Sequence, residues 1–193
     1  GAFTFQGSNN VAIGVQALLN NTIGRDIVAI GAYALRSLGE NTGMHVAIGK
    51  NALFSLNANN NSGNIAIGAE AGYSQTTANN NTILGYDAGY DVTTGGGNVI
   101  IGKDAANTGT NDLTTGYNNI IIGENAAASS ATVNNEITLG NANITKFRVP
   151  GIDFVLKDNG GTPTEGHVLT VDSNGEAGFA AASSGIIVQE EGS

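Results

Sequence analysis

The chain has no cysteine and no tryptophan, only two prolines, and few charges for its 193 residues. Without cysteine there is no disulfide scaffold, no thiol nucleophile and no cysteine-ligated zinc site. Two prolines exclude a collagen-like chain. Charged residues make up 12%, about half the roughly 25% usual in soluble domains. The 7 basic residues are scattered singly. Phosphate backbones are bound by clustered Lys and Arg, so nucleic acid is not an expected partner. No apolar run approaches the roughly 20 residues of a membrane span, so membrane insertion is not expected. The opening residues, GAFTFQGSNN, have neither a charged nor an apolar signal region and read as a chain entered part-way.

Glycine and asparagine fill the space. There are 29 Gly and 26 Asn, with Gly at about twice its usual share of roughly 7%. Both disfavour helix interiors. Val and Ile recur throughout, which argues against disorder. The net charge of −9 favours solubility. This composition predicts an all-β chain with many tight turns and no conventional helical domain.

A short strand ending in glycine recurs eight times: VAIG at 11–14, 28–31 and 46–49, IAIG at 65–68, TILG at 82–85, VIIG at 99–102, IIIG at 120–123 and ITLG at 137–140. Successive glycines are 17, 18, 19, 17, 17, 21 and 17 residues apart. Three positions beyond the glycine stands Ala in seven of the eight copies, and Asn143 in the last. Asn precedes the strand at Asn10, Asn64, Asn81, Asn98 and Asn119. A fixed period near 18 marks a solenoid, each unit being one coil stacked on its neighbours. The pattern predicts a parallel β-solenoid (β-roll or β-helix) of about eight coils, roughly 40 Å long at about 4.8 Å per layer. The pre-strand Asn residues are expected to cap turns and share amide hydrogen bonds between coils. The segments between copies, rich in Asn, Thr, Ser and Gly, read as loops.

Alternation along a strand puts the residues three and one before each glycine on one face, read here as ladders inside the coil. The residue between them then points outward. It is Ala12, Ala29, Ala47, Ala66, Ile83, Ile100, Ile121 and finally Thr138, apolar in seven of eight copies. A strand apolar on both faces is covered on both faces. Another copy of the chain is the expected cover, so the column from Ala12 to Ile121 is assigned to the axis of an oligomer.

The register breaks after Gly140. Residues 144–157 read as two strands with a turn at Pro150–Gly151, and 158–164 as a loop. Strands at 167–171 and 176–181 are expected to form a hairpin around Asp172–Gly175. The expected organisation is a solenoid over 1–143, a small β-hairpin region over 144–182 that caps the open edge, and a flexible tail over 183–193.

The repeat N-x-(V/I)-(A/I)-I-G-x-x-A-(L/G) resembles the head repeats of trimeric autotransporter adhesins. It resembles more closely the NTAIGYxAL and NTxLGYxAG repeats of phage tail fibres and related bacterial fibre proteins. The segments NEITLGNANITKFRVPGIDF and TPTEGHVLTVDSNGEAGFA resemble the junction that follows such repeats and often leads to a self-cleaving, trimerising chaperone domain. The resemblance covers about residues 9–182 and implies a homotrimer that attaches to a host-cell glycan or protein receptor. Its period near 18 exceeds that of the adhesin heads.

Chemistry has little footing. His45 and His167 are far apart in sequence, and His45 takes the pre-strand position that Asn holds elsewhere. A glycan-cleaving tailspike needs two carboxylates about 5–10 Å apart in a groove. Asp87, Asp91 and Asp104 fall in neighbouring coils but read as solvated loop acids. No catalytic residue, metal ligand or cofactor site is assigned, and the chain is expected not to be an enzyme. Tyr73, Tyr90 and Tyr117 are the candidate receptor or glycan contacts, in or beside the loops at 72–80, 90–97 and 107–118. The expected function is a structural and adhesive segment of a trimeric phage tail fibre on the virion. The alternatives are a bacterial surface adhesin head and a polysaccharide-degrading tailspike.

Overall fold

The computed structural model describes residues 7–38, 43–57 and 63–149, and the strands at 154–157, 167–171 and 176–181. Two compact units emerge, Gly1–Asn141 and Ala142–Ser193. The first contains strands β1 (Val11–Ile13), β2 (Val28–Ile30), β3 (Val46–Ile48), β4 (Ile65–Ile67), β5 (Thr82–Leu84), β6 (Val99–Ile101), β7 (Ile120–Ile122) and β8 (Ile137–Leu139). They pair in chain order as one parallel sheet. Register is strict: Ala29 sits opposite Ala47, and Ile83 opposite Ile100. Eight strands bound about seven complete turns, one fewer than the sequence count of coils. The described residues include no helix. The second unit holds β9 (Lys146–Val149), β10 (Phe154–Lys157), β11 (His167–Val171) and β12 (Glu176–Ala181). β9 and β10 pair antiparallel, as do β11 and β12, while β10 and β12 run parallel. The turns at 150–151 and 172–175, the 158–164 loop and the 183–193 tail lie outside the described residues.

The stretch after β2, β3 and β4 is regular and continues into the first residues of the segments read from sequence as loops. The N–H groups three, five and seven residues past the glycine close turns within the coil: Ala52 to Gly49, Phe54 to Asn51 and Leu56 to Leu53. The N–H groups two and four past the glycine bond neighbouring coils instead: Asn51 donates to Ala32 and Leu53 to Ala71. This alternation flips successive peptides. It places Asn51 and Leu53 at φ of 59° and 52°, in the left-handed region. Tyr33 and Leu35 do the same at 63° and 49°. Left-handed backbone is uncommon outside Gly and Asn, and here the inter-coil hydrogen bonds impose it.

The core corrects the assignment of faces. Ala29, Ala47, Ala66, Ile83, Ile100 and Ile121 are fully buried within one chain. They form the inner wall of the coil and do not line an axis between copies. Ala12 is exposed, because β1 is the edge strand of the sheet among the described residues. The physical reason is volume matching across the narrow coil. Where the inner strand residue is Ala29 or Ala47, the residue four past the glycine is Leu35 or Leu53, both buried. Where it is Ile83 or Ile100, the facing position is Gly89 or Ala106. A Cβ added to Gly89 would stand 3.1 Å from the Cδ1 atoms of both Ile83 and Ile100. Large opposes small in these four coils, as dense interiors require; in the coil between them Ala66 faces Gly72, and Leu53 Cδ2 and Ile83 Cδ1 of the flanking coils fill the space, 3.0 and 3.2 Å from a Cβ added there. The residues three and one before each glycine, expected inside, face outward.

The pre-strand asparagines form a buried amide ladder. Asn98 Oδ1 accepts from the Asn119 backbone N–H at 2.9 Å, and Asn98 Nδ2 donates to the Gly116 carbonyl at 2.9 Å. Asn64, Asn81 and Asn119 repeat the pattern. Asn98→Ala strips partners from two buried backbone groups and is expected to destabilise by about 2–4 kcal/mol. Urea denaturation of wild type and variant reads the difference, and a loss below about 1 kcal/mol contradicts a ladder role. Fully buried Gln75 marks the opposite case. Its column neighbours are Leu56 and Val92, and neither amide atom has a hydrogen-bond partner. Gln75→Leu removes that unpaired amide and is expected to stabilise by about 1–3 kcal/mol. A lower melting temperature for this variant refutes the expectation.

Candidate functional site

Three outer surfaces carry the chemistry-bearing side chains. The first is the outward face of the parallel sheet. One column is Val11, Val28, Val46, Ile65, Thr82, Val99, Ile120 and Ile137; the other is Ile13, Ile30, Ile48, Ile67, Leu84, Ile101, Ile122 and Leu139. Only Thr82 is polar. All are half-buried or exposed, with Ile65 at 39%, Leu84 at 45% and Ile137 at 67%. Seven strand spacings of about 4.8 Å make this strip roughly 34 Å long.

The second surface combines aromatic rings and carboxylates. Phe54, Tyr73 and Tyr90 each lie five residues past a repeat glycine, so they stack in neighbouring coils. Ring centroids are 5.0 Å apart for Phe54–Tyr73 and 4.8 Å for Tyr73–Tyr90, with the planes parallel. Tyr33 meets Phe54 edge-on, and the Arg36 guanidinium lies 5.5 Å from the Phe54 ring centre. Both faces of Tyr73 and one face of Tyr90 are therefore occupied. A sugar stacks on a free ring face, so this ladder offers little for Tyr73 to bind with. The sequence reading missed Phe54 and Arg36, although alignment on the glycines puts them in the same column.

Glu70, Asp87 and Asp104 occupy the corner two residues past the glycine in consecutive coils. Burial, then the neighbouring Glu70 charge, raises the Asp87 carboxyl above its ordinary value. Lys103 ion-pairs with Asp104. Asp91 stands four residues further along its coil than Asp87; burial and then Asp112 raise its carboxyl. His45 is buried in the asparagine column, within the core and away from the carboxylate corner. Among the described residues, no group of three or more His, Asp or Glu side chains is placed to hold a metal ion. No helix among them is long and apolar enough to cross a membrane.

The third surface is the corner before β7. Tyr117 is 50% exposed and lies outside the aromatic ladder. Its backbone N–H is held by Asn134 Oδ1 at 2.7 Å, and its carbonyl accepts from Asn135 at 3.1 Å. Tyr73, Tyr90 and Tyr117 are thus not one site: two belong to the ladder and one to a separate corner.

Comparison with protein-family models, with curated proteins and with solved structures finds no match for this chain.

Proposed function

We propose that the chain is a non-enzymatic, structural and adhesive segment of a homotrimeric fibre, of the phage tail-fibre kind, carried on the virion and attached to a host-surface receptor. The observation that supports this reading most is the outward apolar face of the sheet. Parallel sheets are covered on both faces, and among the described residues of this unit only the inner face is covered, by the coil itself. Three copies packed about a common axis through the outward columns cover the other face. The axis residues are then Val28, Ile30, Ile48, Ile67, Leu84, Ile101 and their column neighbours, in place of the inner Ala/Ile column. The repeat's resemblance to fibre proteins supports the same reading, as does the stiffness of a stacked solenoid, which suits a spacer between a particle and a surface.

Fluorescently labelled chain, applied to a panel of bacterial strains, tests the adhesive part. Staining of at least one strain, competed by unlabelled chain, is expected. Uniform absence of staining removes the attachment role.

A further inference from the structure

We infer that Tyr117, with Asn79 and Asn118 and a floor at Gly96, is a contact platform for a pyranose of a neutral polysaccharide. This rests on the adhesive reading above and assigns it a site and a ligand class.

The platform follows from inter-coil register. Gly97 N–H donates to the Asn79 carbonyl, and Asn118 N–H to the Gly96 carbonyl, each at 3.0 Å. Asn79, Gly96 and Tyr117 therefore occupy one column, and Asn80, Gly97 and Asn118 the next. The middle coil contributes no side chain at either position. This leaves a gap two layers wide, about 10 Å between flanking backbones. Tyr117 leans into it: its Cε1 lies 3.4 Å from the position a Cβ on Gly96 would take. Asn79 Oδ1 lies 3.0 Å from the same point. Gly96 is buried although it has no side chain, while Tyr117 stays half exposed. The phenol ring thus reaches over Gly96 with its Cε1 atom while half of the Tyr117 surface stays in solvent. An aromatic surface with an amide oxygen beside it matches a pyranose, which presents C–H groups on one face and hydroxyls at its edge. Exposed Asn118 gives its Nδ2 to Asn135 Oδ1 at 2.8 Å, which leaves its own oxygen as a second acceptor.

Charge selects the ligand class. The segments 76–81, 93–98 and 114–119, which build this corner in three consecutive coils, contain no Asp, Glu, Lys or Arg. Nothing in these segments pairs with a uronate or sulfate group, Glu136 of the next coil is acidic, and the chain's net charge of −9 repels an acidic polymer.

Saturation-transfer NMR on the full chain, with maltohexaose, cellohexaose, mannohexaose, chitohexaose and hexagalacturonate as separate probes, tests the platform. At least one neutral hexasaccharide is expected to bind, and the acidic one is not. Tyr117→Ala should weaken binding at least tenfold, and Tyr117→Phe less than threefold. Tyr86→Ala, at another exposed corner, should leave binding unchanged. The platform is overturned if no neutral probe binds, if Tyr117→Ala binds as wild type does, or if the acidic probe binds best. Cell staining separates the two levels. Undiminished staining by Tyr117→Ala discards this site and keeps the adhesive reading; absence of wild-type staining discards the reading itself.

Discussion

Gly102→Ala is expected to destabilise the solenoid by more than about 3 kcal/mol, a drop of roughly 10 °C in melting temperature. Two effects add. Gly102 has φ of +133°, which L side chains rarely adopt. A Cβ there would stand 2.6 Å from the Gly123 carbonyl carbon. That contact is to backbone, which cannot move without breaking Gly102 N–H to Leu84 and Gly123 N–H to Ile101, both 2.8 Å bonds between coils. Because each coil leans on its neighbours, the damage should spread along the stack. Gly109→Ala is the control. Gly109 also has positive φ, at +77°, but nothing lies within 4 Å of an added Cβ. It shows what a left-handed backbone costs without a close approach, expected at about 1–2 kcal/mol. Thermal melts followed by circular dichroism compare the two, and equal losses discard the idea that the stacked glycines are required by close approach.

The second contrast sets adjacent residues of β6 against each other. Ile100 is fully buried and points into the coil, whereas Ile101 is half-buried and points out. Ile100→Asp places a carboxylate among Ile83, Ile121 and Val92 and is expected to prevent folding of the coils around it. Ile101→Asp leaves its carboxylate in water in the single chain, so the fold should survive. In the proposed trimer the same change brings three carboxylates into an apolar seam, and assembly should fall at least a hundredfold. Thr110→Asp, on an exposed loop, should do neither. Circular dichroism separates folding from assembly, and sedimentation velocity reads the assembly. An Ile101→Asp chain that assembles as wild type does excludes the outward columns as the interface.

The glycine spacing alone placed all eight solenoid strands, and the Asn positions foretold the amide ladder, because both signals repeat at one period. Which face of each strand points into the coil is not legible in the same way, and the structure reverses that expectation. Apolar residues occupy both faces of VAIG and VIIG, so alternation cannot distinguish inside from outside. The distinguishing signal lay elsewhere in the repeat: Ala47 accompanies Leu53 and Ile83 accompanies Gly89, a compensation only two inward-facing positions need. The left-handed corners at Tyr33 and Leu35 were hidden because intrinsic propensity disfavours them, and inter-coil bonding overrides it. Among the candidate contacts, Tyr73 and Tyr90 were separated from Tyr117 only by the ladder, which a list of aromatics does not reveal without the glycine register.

The mass of the unaltered chain by light scattering, at tens of micromolar, tests most directly whether the outward columns join three copies. A homotrimer scatters as three times the 19.4 kDa chain. A particle of 19.4 kDa, with Ile48, Ile67 and Ile101 left against water, contradicts it.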